Sequence, residues 1–93
     1  MITPWGESQG IEKIADGIVF VDTAGHGGYK VRWDKIKEMP EQYKNRNGWY
    51  EEDCEWCKVV LAFPQYFNES LVKIAEKTFA DWFNQDGTSK ERD

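Results

Sequence analysis

Asp16-Gly17 separates two segments of strand character, Gly10 to Ile14 and Ile18-Val19-Phe20-Val21. A dipeptide of that kind between two such segments closes a tight hairpin. The second segment is β-branched or aromatic throughout, and its lack of alternation predicts a strand buried on both faces. Ala24 to Gly28 turn the chain again, and Tyr29, Val31 and Trp33 then alternate with Lys30 and Arg32. That alternation predicts a third strand with one wet face. The N-terminal part is therefore expected to be a three-stranded antiparallel meander.

Beyond Trp33 the period changes from two to 3.6. Asp34 can cap a short helix through Glu38, which ends near Met39 because Pro40 disfavours helical geometry before it. Residues 41–48 are polar, close on Asn47-Gly48 and read as a surface loop. A helix is expected from Glu51 to Ala62, ending before Pro64, with its acids in the first turn where the helix dipole favours them. Trp56, Val59, Val60 and Phe63 form its buried stripe. Asn68 caps a last helix, whose face is Leu71, Ile74, Ala75, Thr78, Phe79, Trp82 and Phe83. The fold class is α+β, a small three-stranded meander packed against two C-terminal helices. With 93 residues the chain is a single domain, 1–93, with an N-terminal arm over 1–8 anchored by Trp5 and a frayed tail over 86–93. A domain this small gains from self-association, so a homo-oligomer fits the size.

The net charge of −5 is unevenly placed. Residues 1–46 carry seven acids and seven bases, whereas 47–93 carry ten acids and five bases. Nucleic-acid binding rests on cations that neutralise phosphates, so direct DNA or RNA binding is not expected. An acidic half suits a basic protein surface, and it also serves plain solubility. Met1 to Gly6 lacks the basic start and apolar run of a secretory signal, and no stretch approaches the ~20 apolar residues of a membrane span. Two cysteines three apart on an expected helix are poorly placed for a disulfide, and a reducing cytoplasm fits them.

Two segments concentrate special residues. Thr23-Ala24-Gly25-His26-Gly27-Gly28-Tyr29 holds the single histidine among glycines, and 48–57 packs four acids, both cysteines and three aromatics into ten positions. Glycines admit positive φ and close approach, their amides can form an anion nest, and an imidazole there can bind phosphate or carry a proton. No Gly-Lys-Ser/Thr follows, so this is no phosphate loop, and no cofactor is expected. A hairpin turn with a capping imidazole competes with any site. Cys54, near the start of the expected helix, is a candidate nucleophile with His26 as base and Asp53 or Glu52 as orienter. Three adjacent carboxylates oppose a thiolate, and a core cysteine is the simpler account. Cys54 and Cys57 with His26 form only half a zinc motif, so no metal is expected. Lys30 and Arg32, beside Lys35 and Lys37, can join His26, Gly27 and Gly28 in holding a small nucleotide, or can simply be a solvated strand face. Trp49 and Tyr50 are either core lids or interface anchors.

Thr3-Pro4-Trp5-Gly6 with Ser8, Ile11 and Ile14, Gly17-Ile18-Val19-Phe20, Thr23-x-x-His26-Gly27-Gly28, Trp49-Tyr50-Glu51-Glu52-Asp53-Cys54-x-Trp56 and Ala62-Phe63-Pro64 occur in that order. This series resembles an uncharacterised small domain of phage genomes and of larger plasmid and conjugative-element proteins. The resemblance covers most of residues 3–64, and Cys57 departs from it where a small apolar residue is usual. It implies a mobile-element setting and no mechanism. The expectation is a protein that inhibits a host defence component by stoichiometric binding, through an acidic, aromatic-rich surface of Trp49, Tyr50, Glu51, Glu52, Asp53 and Glu55, with His26, Gly27, Gly28, Lys30 and Arg32 as the residues that would instead hold a small nucleotide. Capture of a small nucleotide signal and a Cys54/His26 hydrolase or deconjugase are the alternatives.

Overall fold

The Asp16-Gly17 hairpin forms where its residues demand it. A computed structural model describes residues 1–90. Strand β3 (Gly10–Ala15) and strand β4 (Ile18–Asp22) pair antiparallel across the turn, with Gly17 at φ +84°. A bulge interrupts them: Ala15 faces Ile18 but Lys13 faces Val19, so Ile14 is the extra residue. Strand β5 (Gly27–Val31) follows on the other side of β4.

The meander has a fourth strand, which corrects the expectation of three. Trp49–Glu51 form β6, an edge strand that sets Tyr50 opposite Tyr29 and gives the order β3-β4-β5-β6. The helix expected from Glu51 begins only at Trp56 and runs to Ala62 as α2. The acids of 51–53 lie on the strand end and the turn ahead of this helix. Tertiary pairing with β5 outweighs a local dipole preference worth under about 1 kcal/mol. A short helix α1 (Trp33–Ile36) and a 3-10 turn at Glu41–Tyr43 connect β5 to β6.

Three layers follow. One face of the sheet presents Ile18, Tyr29, Val31 and Tyr50 to Ile36, Met39, Val59 and Phe63. Behind α2 lies α3 (Glu69–Trp82), and Cys57, Val60, Ala75 and Phe83 form the second core between them. Because α2 is sandwiched, four successive residues, Cys57 to Val60, are buried. Each sealed aliphatic side chain contributes roughly 1.5–3 kcal/mol. Asn68 caps α3 as expected, its Oδ1 accepting from the Leu71 amide at 2.8 Å. The buried face of α3 is narrower than its periodicity predicts, since Ile74 and Trp82 are 54% and 45% exposed while Val72 joins the core. One neighbouring helix covers less of α3 than a full core would.

The first eight residues form their own hairpin instead of an irregular arm, with β1 (Ile2–Thr3) against β2 (Gly6–Glu7) and Gly6 at φ +117°. Trp5 at its tip lies edge-on to Trp49, ring centroids 5.5 Å apart, and reaches the sheet face opposite the helices. At the other end the chain doubles back beyond α3. Phe83 bridges Ser89, and the Lys90 amide donates to the Trp82 carbonyl at 3.0 Å. Within the tail expected to fray, the chain turns at Gly87 (φ +89°) and Lys58 Nζ donates to the Gly87 carbonyl at 3.1 Å. Residues 91–93 of that expected tail lie outside the described residues.

Candidate functional site

Pairing of β5 with β6 brings the two residue-rich segments together. Gly28 faces Glu51, and the Glu52 amide donates to the Gly27 carbonyl at 2.9 Å. His26 Nδ1 then lies 3.1 Å from Glu51 Oε2 at the sheet margin. Thr23 fastens the turn: its hydroxyl donates to the His26 carbonyl at 2.7 Å, and the His26 amide donates back to Thr23 Oγ1 at 3.1 Å. A side-chain carbon added at Gly27 would meet Glu52 Oε2 at 3.0 Å and Asp22 Oδ1 at 3.4 Å. Glu51 is thus set against the imidazole, Asp22 and Glu52 flank the neighbouring Gly27, and Asp53 is exposed beyond them.

The glycines serve packing, and this corrects the anion-nest expectation. None of Gly25, Gly27 and Gly28 has positive φ. Gly27 and Gly28 are buried strand residues, and a side chain on Gly28 would strike the Tyr50 carbonyl and the Trp5 ring. A carboxylate-rich rim around strand backbone repels anions. The turn is therefore no phosphate cradle.

The thiols are held protonated. Cys54 precedes α2, whose first residue is Trp56, and so lacks the helix N-terminus expected to activate it. Burial first, then the neighbouring Asp53 and Glu55 carboxylates, pushes its pKa up to about 11. Burial, with Cys54 beside it, pushes Cys57 up to about 12. The His26 ring engages Glu51, and no hydrogen bond or ion pair joins it to Cys54 among the described residues. No three His, Cys, Asp or Glu side chains among the described residues are grouped to hold a metal ion.

The remaining candidates divide. Tyr50 is fully buried, its hydroxyl donating to the Tyr43 carbonyl at 2.9 Å and accepting from the Asn45 amide at 2.7 Å. It is a core residue and offers a partner no surface. Glu55 is half-buried and held by Lys58 Nζ at 3.1 Å and Asn45 Nδ2 at 2.9 Å. Arg32 is clamped between Asp34, 2.6 Å from its Nε, and Asp16, 3.0 Å from its Nη2. His26 and Arg32 flank opposite ends of β5, roughly 20 Å apart at strand rise. They do not close on one small ligand. Lys30 Nζ sits over the Trp49 ring, 4.6 Å from its centroid. Glu51, Glu52, Asp53, His26 and Trp49 are the members brought together. Asp22 and Trp5 complete the group; Asp22 went unnoticed in sequence, although an acid closing a buried strand before a turn marks a sheet corner.

Sheet and helices define a small α+β domain of four antiparallel strands backed by two helical layers. The chain belongs to the family described as Domain of unknown function (DUF7007), whose model matches residues 1–90, an uncharacterised family as the order of motifs implies. No curated protein and no solved structure matches the chain significantly. Among the described residues no helix is long and apolar enough to cross a membrane.

Proposed function

We propose that this protein acts by stoichiometric binding, its acidic sheet corner engaging a basic surface on a partner protein. The observation that supports this is the meeting of β5 and β6 at one sheet corner, which sets Glu51 against His26 and Asp22 and Glu52 beside Gly27, with Asp53 exposed and the Trp5–Trp49 pair on the same side of β6 as Glu51. Clustered carboxylates draw in Lys and Arg and set orientation, and a half-buried tryptophan supplies the apolar anchor. The resemblance to phage and mobile-element chains supplies the setting, in which the partner is a host defence component and binding inhibits it. A thiol hydrolase has no support from sulfurs held protonated near neutral pH.

Glu52→Lys with Asp53→Lys reverses two exposed charges and leaves the His26–Glu51 and Glu55–Lys58 pairs intact. Wild-type protein is expected to recover a basic partner from host lysate in one-to-one proportion, with inhibition tracking protein in molar ratio. The double variant, at unchanged melting temperature, is expected to lose both. Full recovery by the folded variant, or inhibition far below molar equivalence, refutes the reading.

A further inference from the structure

The sheet face turned away from the helices carries a second feature, opposite in charge and separate from the acidic corner. Register places Lys13, Val19, Lys30 and Trp49 in one row across all four strands. Lys13 reaches this row only through the bulge at Ile14. An unbulged two-residue hairpin would set it opposite Phe20, on the helix-facing side. An open groove of about 360 Å³ lies here, with Val19 beneath it, Lys13, Lys30 and Arg32 as walls, and the Asp16-Gly17 turn at one end. The volume is within the range of small-molecule sites, roughly 300–1,000 Å³.

Its charges are not equivalent. Arg32 is neutralised by Asp16 and Asp34 and acts as a wall. Lys13 and Lys30 make no ion pair among the described residues, and they stand on opposite banks, two strand spacings or roughly 10 Å apart at Cα. Lys30 is held by the Trp49 ring, which fixes its ammonium without neutralising it. Two cations without a direct ion pair, on either side of Val19 in a chain of net charge −5, select a complementary shape and charge, although Asp16 at the groove edge feels the charge of Lys13. We propose that this groove binds a small organic dianion, an apolar body lying over Val19 with one anionic group at each end, for Lys13 and for Lys30.

Amide chemical-shift mapping on the full chain tests this with suberate, an eight-carbon dicarboxylate, against octanoate and malonate. Suberate is expected to shift Lys13, Val19 and Lys30 saturably and to bind about tenfold or more tighter than octanoate, which lacks the second charge. Malonate, too short to span, is expected to produce no saturable shift. Lys13→Gln, at an exposed and unpaired position, should bring suberate to the affinity of octanoate at unchanged melting temperature. Lys30→Gln should do the same, with any change in folding read separately from its lost contact with Trp49. No saturation by about 10 mM suberate overturns the proposal, as do shifts centred elsewhere, equal affinity for suberate and octanoate, or an unaffected Lys13→Gln. The Glu52→Lys/Asp53→Lys variant should bind suberate like wild type, so this site and the acidic corner stand or fall separately.

Discussion

Tyr50 ties the connection between α1 and β6 to the sheet through one hydroxyl. Its ring is sealed beneath Val59, and its Oη satisfies the Tyr43 carbonyl and the Asn45 amide. Burial pushes its pKa up to about 12, so it remains a donor across the working pH range. Tyr50→Phe preserves the ring and leaves two partly buried backbone groups without a partner. It is expected to lower unfolding free energy by roughly 1–3 kcal/mol, measured by urea denaturation. An unchanged midpoint would mean that water replaces the hydroxyl. Gly28 belongs to the same residue-scale logic, since only the absence of a side chain lets Trp5 and the β6 backbone close on β5.

Arg32 operates at the scale of elements, joining the β3–β4 turn, the end of β5 and the first turn of α1. Its guanidinium holds Asp16 and Asp34 below the ordinary carboxylate range, chiefly through direct hydrogen bonds. The sign of the linkage is fixed: carboxylates with a depressed folded pKa contribute stability above their unfolded value, lost as pH falls through the folded one. The melting-temperature gap between wild type and Arg32→Gln is therefore expected to be constant from neutral pH to about 5 and to close below about 4. A gap that persists at pH 2 would assign the effect to packing of the guanidinium over Gly17. All three groups are exposed, so the gap should be small and should shrink in salt.

For the whole molecule, Lys58 holds the C-terminal turn against the helical layers. It is 4% exposed, paired with Glu55, donating to Gly87 and seated 4.2 Å from the Phe83 ring centroid. Lys58→Met keeps the stem and removes the donor. It is expected to cost about 1.5–3 kcal/mol and to accelerate hydrogen exchange of the Lys90 amide, which donates to Trp82. Unchanged exchange would show that the turn holds by its own backbone. The α+β class, the Asp16-Gly17 hairpin and the Asn68-capped helix were legible because their signals are local: a turn dipeptide, a run of β-branched residues, a cap and a 3.6 period. His26 and the 51–53 acids stand out in the sequence by density alone. Strand β6 was hidden, since three residues are too few for a period and the acids after them mimic a helix start. The burial of Tyr50 and Glu55, the raised thiol pKa values and the Ile14 bulge that turns Lys13 to the outer face were hidden too. The sequence by itself determined the elements with local signals, the Asp16-Gly17 hairpin and the Asn68-capped helix, because backbone geometry and hydrophobic period act over a few neighbours. Only the tertiary structure decided which side chains share a surface, because pairing register and layer stacking join residues far apart in the chain.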